Sequence, residues 1–260
     1  MCATCGCGDD SALITLAGDD HHHHDHLHDH SHEHDHVHTE TVTLETKVLA
    51  KNDLIAERNR QWLAERRILA LNITSSPGAG KTTLLERTIR ELGVSRSVAV
   101  VEGDQETLLD AERIRAAGAR AVQVNTGAGC HLDADMVHRA MNALDPVPES
   151  LLFIENVGNL VCPALFDLGE HSKVVVISVT EGVDKPLKYP HMFAASALVL
   201  VNKIDLLPYV DFDLETCTDH VRSINPAAEI LPTSATRGDG LDAWCDWVLT
   251  AAPPPKSVYP

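Results

Sequence analysis

Two kinds of periodicity divide the chain. From residue 42 to about residue 67 apolar side chains recur at helical spacing, with Val48, Ile55 and Trp62 every seven residues and Asn52 and Asn59 on the same stripe. That spacing predicts a helix packed on a domain, with no chemistry of its own. Beyond it the pattern changes to short apolar runs separated by amphipathic stretches. Strands are expected at 97–104, 121–125, 151–157, 173–180, 197–203 and 229–235, with helices at 106–117, 132–144 and from about 241. Strands alternating with helices predict βαβ units and a mostly parallel sheet flanked by helices, with the ligand at the carboxyl ends of the strands.

The stretch LNITSSPGAGKTTLL, residues 71–85, gives that α/β fold its chemistry. An apolar run breaks into a Gly/Ser/Pro turn and restarts as a helix, the form of a phosphate-binding loop in a phosphate-loop NTPase. Gly78 and Gly80 let backbone N–H groups turn onto phosphate oxygens, and Lys81 supplies a point charge for the β- and γ-phosphates. Thr82 offers a hydroxyl to Mg²⁺, while the helix dipole favours the same anion. Gly78, Ala79, Gly80, Lys81, Thr82 and Thr83 are the expected nucleotide cradle. Ser75 occupies the first glycine position of the general pattern.

Asp104 ends the second strand and Glu155 ends Leu151–Ile154, so both are candidate Mg²⁺ carboxylates and, with Lys81, candidate catalytic groups. Gly158 can present an N–H to the γ-phosphate. Asn202, Lys203 and Asp205 follow an apolar strand as N-K-x-D. A carboxylate there accepts from both guanine N1–H and the exocyclic amine, whereas adenine leaves it unpaired, so GTP is favoured over ATP. Ser234 and Ala235 are candidates for a backbone contact to the guanine oxygen.

Composition adds a tail. The 260 residues are 44% hydrophobic, enough for one core of ordinary size. Of the formal charge of −17, residues 1–46 contribute ten acids and no Lys or Arg; the remainder, 28 acids against 21 bases, is about −7, which argues against a nucleic-acid surface. No apolar run is long enough to cross a bilayer and the N-terminus lacks a secretory signal pattern, so a cytoplasmic protein with reduced thiols is expected. The organisation read from this is a Cys/His-rich tail at 1–40, expected to be disordered, a helix at 41–67, a nucleotide domain at 68–252 and a short tail at 253–260.

Cys2, Cys5 and Cys7 form C-x-x-C-x-C, a compact thiolate set suited to nickel or zinc. Residues 19–38 then interleave eleven histidines with Asp and Glu: His21, His22, His23, His24, His26, His28, His30, His32, His34, His36 and His38. A tract this polar reads as multi-site metal binding, a buffer rather than a shaped site, and imidazole suits Ni²⁺, Cu²⁺ and Zn²⁺ alike. Inside the domain Cys130 and His131 stand in TGAGCHLD, before a helix that Asp133 is expected to cap, and Cys162 stands in ENVGNLVCP; the flanking glycines favour a metal site over an incidental pair. Cys217 and Cys245 read as packing residues.

CATCGC, the histidine tract, SSPGAGKTTLL, VEGD, TGAGCHL, ENVGNLVCP, EGVDKPLKYP and NKID together closely resemble the HypB family, GTPases that help insert nickel into [NiFe]-hydrogenase. The resemblance implies a slow, Mg²⁺-dependent GTPase cycling between GTP and GDP and forming a homodimer through nucleotide. It also implies a nickel site at Cys2, Cys5 and Cys7, a second nickel or zinc site at Cys130, His131 and Cys162, and HypA and the hydrogenase large subunit as partners. Membranes and nucleic acid are not expected partners. The related UreG family characteristically carries Cys-Pro-His, where this chain has Gly129-Cys130-His131 and Cys162-Pro163-Ala164. Metal storage, with a regulatory nucleotide domain, is the alternative of a different class.

Overall fold

A computed structural model describes residues 36–104, 109–127 and 129–251, without the side chains of 36–46 and Asp104. Cys2, Cys5, Cys7 and the histidines up to His34 lie outside the described residues, as do the side chains of His36 and His38 and the final tail from 252.

Seven strands form one sheet in the order β3-β2-β4-β1-β5-β6-β7, and every neighbouring pair is parallel. They are β1 (Leu69–Ser75), β2 (Val98–Asp104), β3 (Arg120–Asn125), β4 (Leu151–Gly158), β5 (Ser172–Ser178), β6 (Ser196–Asn202) and β7 (Glu229–Pro232). β1 is the central strand and all seven of its residues are buried, as a strand covered on both faces requires.

Among the described residues nine α-helices accompany the sheet: α1 (His36–Arg66), α2 (Lys81–Leu92), α3 (Leu109–Ala116), α4 (Ala134–Leu144), α5 (Cys162–Leu165), α6 (Lys185–Lys188), α7 (Pro190–Ala194), α8 (Leu214–Ile224) and α9 (Leu241–Thr250). One core packs Leu84, Leu85 and Ile89 of α2 and Trp244 and Val248 of α9 against Leu71, Val100 and Phe153 of the sheet. Another packs Leu63 of α1 and Val137 and Met141 of α4 against Ala70, Val101 and Ile154. Asp133 caps α4 by accepting from the Met136 N–H at 2.7 Å, as expected. No described helix is long and apolar enough to cross a membrane.

The buried face of α1 is not the stripe the apolar residues suggested. Val48 is exposed and Ile55 and Trp62 are half-buried, whereas Asn52, Ala56, Asn59 and Leu63 are buried. The spacing is still helical, but polar side chains hold the middle of the face. Asn59 donates to the carbonyls of Ala134 (2.8 Å) and Leu168 (3.0 Å), and Asn52 accepts from the Ala134 N–H (2.9 Å). An amide carries donor and acceptor together, so it can satisfy the backbone groups at the start of α4 that an apolar side chain would leave unpaired. The helix also begins at His36, inside the expected tail.

Candidate functional site

The loop between β1 and α2 closes on a cavity of about 400 Å³. Gly78, Gly80, Lys81, Thr82 and Thr83 line one side of it, and Glu102, Gly103, Glu155, Asn156 and Gly158, from the carboxyl ends of β2 and β4, line another. Gly80 has φ +98°, and a Cβ there would stand 2.6 Å from Asn202 Nδ2, so the loop requires glycine at that position for both conformation and space. Ser75, at the position where the general pattern has glycine, belongs to β1 instead of the turn. Its hydroxyl accepts from Lys81 Nζ at 2.8 Å and donates to the Ser76 carbonyl at 2.6 Å.

Thr82 Oγ1 donates to Glu155 Oε1 at 2.8 Å, while Glu155 Oε2 is buried with no hydrogen-bond partner. Burial pushes the Glu155 carboxyl above its ordinary value; the Lys81 charge and the Thr82 hydroxyl work against that rise. A buried carboxylate with one oxygen on the loop hydroxyl and the other unsatisfied fits a divalent cation between Thr82 and Glu155. Glu102, unremarked in the sequence, also lines the cavity and lies beside Glu155 in the β2/β4 register. Strand alternation puts residues 102 and 104 at same-face positions of β2, so the end of VEGD does not by itself single out Asp104, whose side chain lies outside the described residues. Asp110 and Arg113 of α3 complete this wall. Arg113 is held by Glu86 at 3.0 and 3.2 Å, Asp110 at 3.0 Å and Thr83 at 3.2 Å.

The N-K-x-D side chains divide between two that brace the phosphate loop and Asp205, which does not. Asn202 Nδ2 donates to the Ala79 carbonyl (2.8 Å), its Oδ1 accepts from the Ala235 N–H (3.0 Å), and Lys203 Nζ donates to the Gly78 carbonyl (2.7 Å). Two of the motif's side chains thus hold the phosphate loop. The Ala235 N–H, expected to face a base, is used by Asn202. Asp205 is free to read a base with Oδ2, since Ser234 Oγ donates to its Oδ1 at 2.6 Å. Asp205, Ser234 and Ala235 do not line the 400 Å³ space, whose lining from this motif is Lys203.

The second cluster is assembled from the loop between β3 and α4 and the start of α5. Cys130, His131 and Cys162 offer ligand atoms that all lie within 4.8 Å of one another. The two sulfurs are 2.8 Å apart, and Cys130 Sγ is 3.7 Å from His131 Nδ1. Burial lowers the His131 imidazole below its ordinary value, with Asp133 opposing, and its ring centroid lies 3.9 Å from that of Phe166. A neutral imidazole beside two soft sulfurs is a donor set for a borderline-soft ion. Cys217 is fully buried and Cys245 partly so, each packed in a core, and burial pushes both thiols up to about 11.

A phosphate loop at the centre of a parallel sheet, with acidic residues on adjacent strand ends, defines the class as a phosphate-loop nucleotide-binding protein. The profile of the CobW/HypB/UreG nucleotide-binding domain matches residues 69–232. Hydrogenase maturation factor HypB of Escherichia coli K12 is 47% identical over 288 aligned positions, covering 96% of this chain and 99% of that protein. The HypB of Azotobacter chroococcum is 56% identical over 207, covering 80% and 68%. The crystal structure of HypB from Archaeoglobus fulgidus superposes with a TM-score of 0.72 at 41% identity, covering 77% of this chain and 98% of that one. HypB from Helicobacter pylori in complex with nickel gives 0.72 at 36%, covering 76% and 94%. The chain belongs to the HypB hydrogenase maturation factors of the CobW/HypB/UreG GTPase family.

Proposed function

We propose that this chain hydrolyses GTP and uses the cycle to carry or gate nickel for insertion into [NiFe]-hydrogenase. The observation that carries the reading is that Cys130, His131 and Cys162 converge within 4.8 Å, and that Cys162 lies on the chain segment that continues from the cavity wall, Glu155 to Gly158. A cargo site next to a nucleotide site is what a nucleotide-gated carrier needs.

In this reading Gly78 to Thr83 cradle the phosphates, Lys81 neutralises charge developing on the transferred phosphoryl group, and Asp205 selects guanine. Thr82 and Glu155, with Glu102 or Asp104, would hold Mg²⁺, which would supply positive charge against the phosphates. Turnover is slow in the absence of an activating partner, as for phosphate-loop GTPases of this kind. Nickel, or zinc in its place, occupies the cysteine–histidine cluster as cargo, and Cys2, Cys5 and Cys7 form a separate site. The protein works in the cytoplasm as a GTP-promoted homodimer, receiving or passing metal with HypA and the hydrogenase large subunit. Metal content and oligomer size, measured with GDP and with a non-hydrolysable GTP analogue alongside GTP turnover, test the proposal. Turnover with neither bound nickel nor any response of nickel to nucleotide would overturn it.

The eleven histidines of the tail favour a second, additional role in storage. Deleting residues 19–38 should then remove most of the nickel stoichiometry and leave GTP turnover intact; an unchanged stoichiometry would exclude it.

A further inference from the structure

Three residues separate Gly158 in the cavity wall from Cys162 at the start of α5. Two asparagines, Asn156 in β4 and Asn159 just beyond it, reach the other half of the cysteine–histidine cluster. Asn156, which lines the cavity, accepts at Oδ1 from the Leu132 N–H (3.2 Å) and the Val157 N–H (3.0 Å). Asn159 donates from Nδ2 to the Cys130 carbonyl (3.1 Å) and accepts at Oδ1 from the Val161 N–H (2.8 Å). Leu132 follows His131, and Val161 precedes Cys162. Each of the three candidate ligands therefore bears, or adjoins, a backbone group held by one of these two amides.

We infer that Asn156 and Asn159 are the positioning residues of the metal cluster, converting a displacement of the nucleotide-cavity wall into a change in its ligand geometry, with Asn159 setting the separation of the two cysteines. This rests on the reading that the cavity takes GTP and the cluster takes nickel. The planar amide of Asn159 carries its donor and acceptor in fixed relation, so the Cys130 loop and the start of α5 are referred to one rigid group. α5 is anchored independently from the residue after Cys162 onward, because Lys173 Nζ donates to the carbonyls of Pro163 (3.1 Å) and Phe166 (2.9 Å). Movement of the Gly158–Asn159 turn is thus taken up at Cys162, and shifts of about 0.2 Å already matter to a coordination shell.

The test uses the full chain carrying Cys2→Ser, Cys5→Ser and Cys7→Ser, so that thiolate-to-nickel absorption reports the cluster, with Cys130→Ala as the blank. Nickel affinity is measured by chelator competition in GDP and in non-hydrolysable GTP analogue. The parent should show about a tenfold difference between the two states, ordinary for coupled sites. Asn159→Ala should bring the ratio to within about twofold while nucleotide affinity holds. Asn159→Asp, which keeps the acceptor and loses the donor, should fall between, and Asn156→Ala should also lower the ratio. Equal affinities in the parent, or a uniform loss in both states with the ratio preserved in Asn159→Ala, would overturn the inference and leave both binding sites standing. Absence of the absorption band in the parent would instead remove the underlying reading and the inference with it.

Discussion

The nucleotide cavity and the cysteine–histidine cluster are neighbours built on opposite plans. The phosphate loop is one continuous stretch, and its conformation is fixed by contacts from the chain that encloses it: Asn202 on Ala79, Lys203 on Gly78 and Lys81 on Ser75. The cluster takes its ligands from two segments 32 residues apart, and what fixes it is a polar network behind it. Asn156 Nδ2 donates to Asn72 Oδ1 (3.3 Å), Asn72 Nδ2 donates to Glu170 Oε1 (3.0 Å), and Lys173 stands 3.8 Å from Glu170 while bonding the end of α5. A loop made of one local motif resists distortion locally. A site whose groups come from two separate segments is only as rigid as its supports, which is compatible with the carrier role proposed for it.

The sharpest way to break this contrast is at the supports. Lys173 and Glu170 are an almost buried pair, and Lys173→Met leaves the Glu170 carboxylate without its cation and α5 without its anchor. Breaking such a pair costs about 3–5 kcal/mol, so a large fall in chemical-denaturation stability is expected at neutral pH. Adding Glu170→Gln should recover most of it; equal losses in the single and double variants would show that the pair does not act as a unit. On the nucleotide side, Lys81→Ala should leave stability nearly unchanged and lower single-turnover GTP hydrolysis about 10²–10³-fold, as removal of a preorganised charge does. Hydrolysis at wild-type rate would detach the loop from catalysis.

The same contrast explains what was legible in the sequence. The phosphate loop and N-K-x-D are contiguous, so residue type and spacing displayed them, and the alternating pattern displayed the parallel sheet. Cys130, His131 and Cys162 could be named as candidates, but their convergence depends on how two segments fold back, which no local pattern encodes. Glu102 was overlooked because VEGD was read at its end rather than by strand alternation. The face of α1 is legible only in part: Asn52 and Asn59 lie on the expected stripe and are buried, but Ala56 and Leu63, one position beyond Ile55 and Trp62, carry the apolar packing. α8 went unread although Asp213 caps it and Leu214, Cys217, Val221 and Ile224 mark its inner face. α5, α6 and α7 are four or five residues long, too short for any period, and only Pro163, Pro186 and Pro190 near their first positions signal them.

A smaller effect separates reading from bracing within N-K-x-D. Asp205 holds only Ser234, whereas Asn202 holds the loop itself. Asp205→Asn should therefore spare the fold and weaken GTP by about 1–3 kcal/mol relative to xanthosine triphosphate, whose carbonyl accepts from the new amide. Asn202→Ala should weaken every nucleoside triphosphate alike. Competition between the two nucleotides on each variant distinguishes the roles, and unchanged selectivity in Asp205→Asn would remove Asp205 from base recognition.

The smallest expected effect sharpens the comparison most, because it asks whether the cavity stores a cost that its ligand relieves. Burial raises the folded-state value of the Glu155 carboxyl, only partly offset by Lys81 and Thr82. The folded protein therefore holds this proton more tightly than the unfolded chain does. Its contribution to stability is greatest below the ordinary carboxylate range and is lost as pH rises from that range through the raised folded value. Glu155→Gln deletes this dependence and keeps an acceptor for the Thr82 hydroxyl, so without nucleotide or Mg²⁺ the variant should melt slightly above the wild type at pH 8, the gap closing toward pH 5. Mg²⁺ with a GTP analogue should then reverse the order: the wild-type carboxylate gains the cation it lacks, while the amide holds one poorly. Melting temperatures of both proteins across this pH range, with and without the ligand pair, provide the measurement. A gap that widens toward acid, or a variant stabilised by Mg²⁺ and analogue as fully as the wild type, would mean that Glu155 is a structural acid and that the cation is held elsewhere, on Glu102 or Asp104.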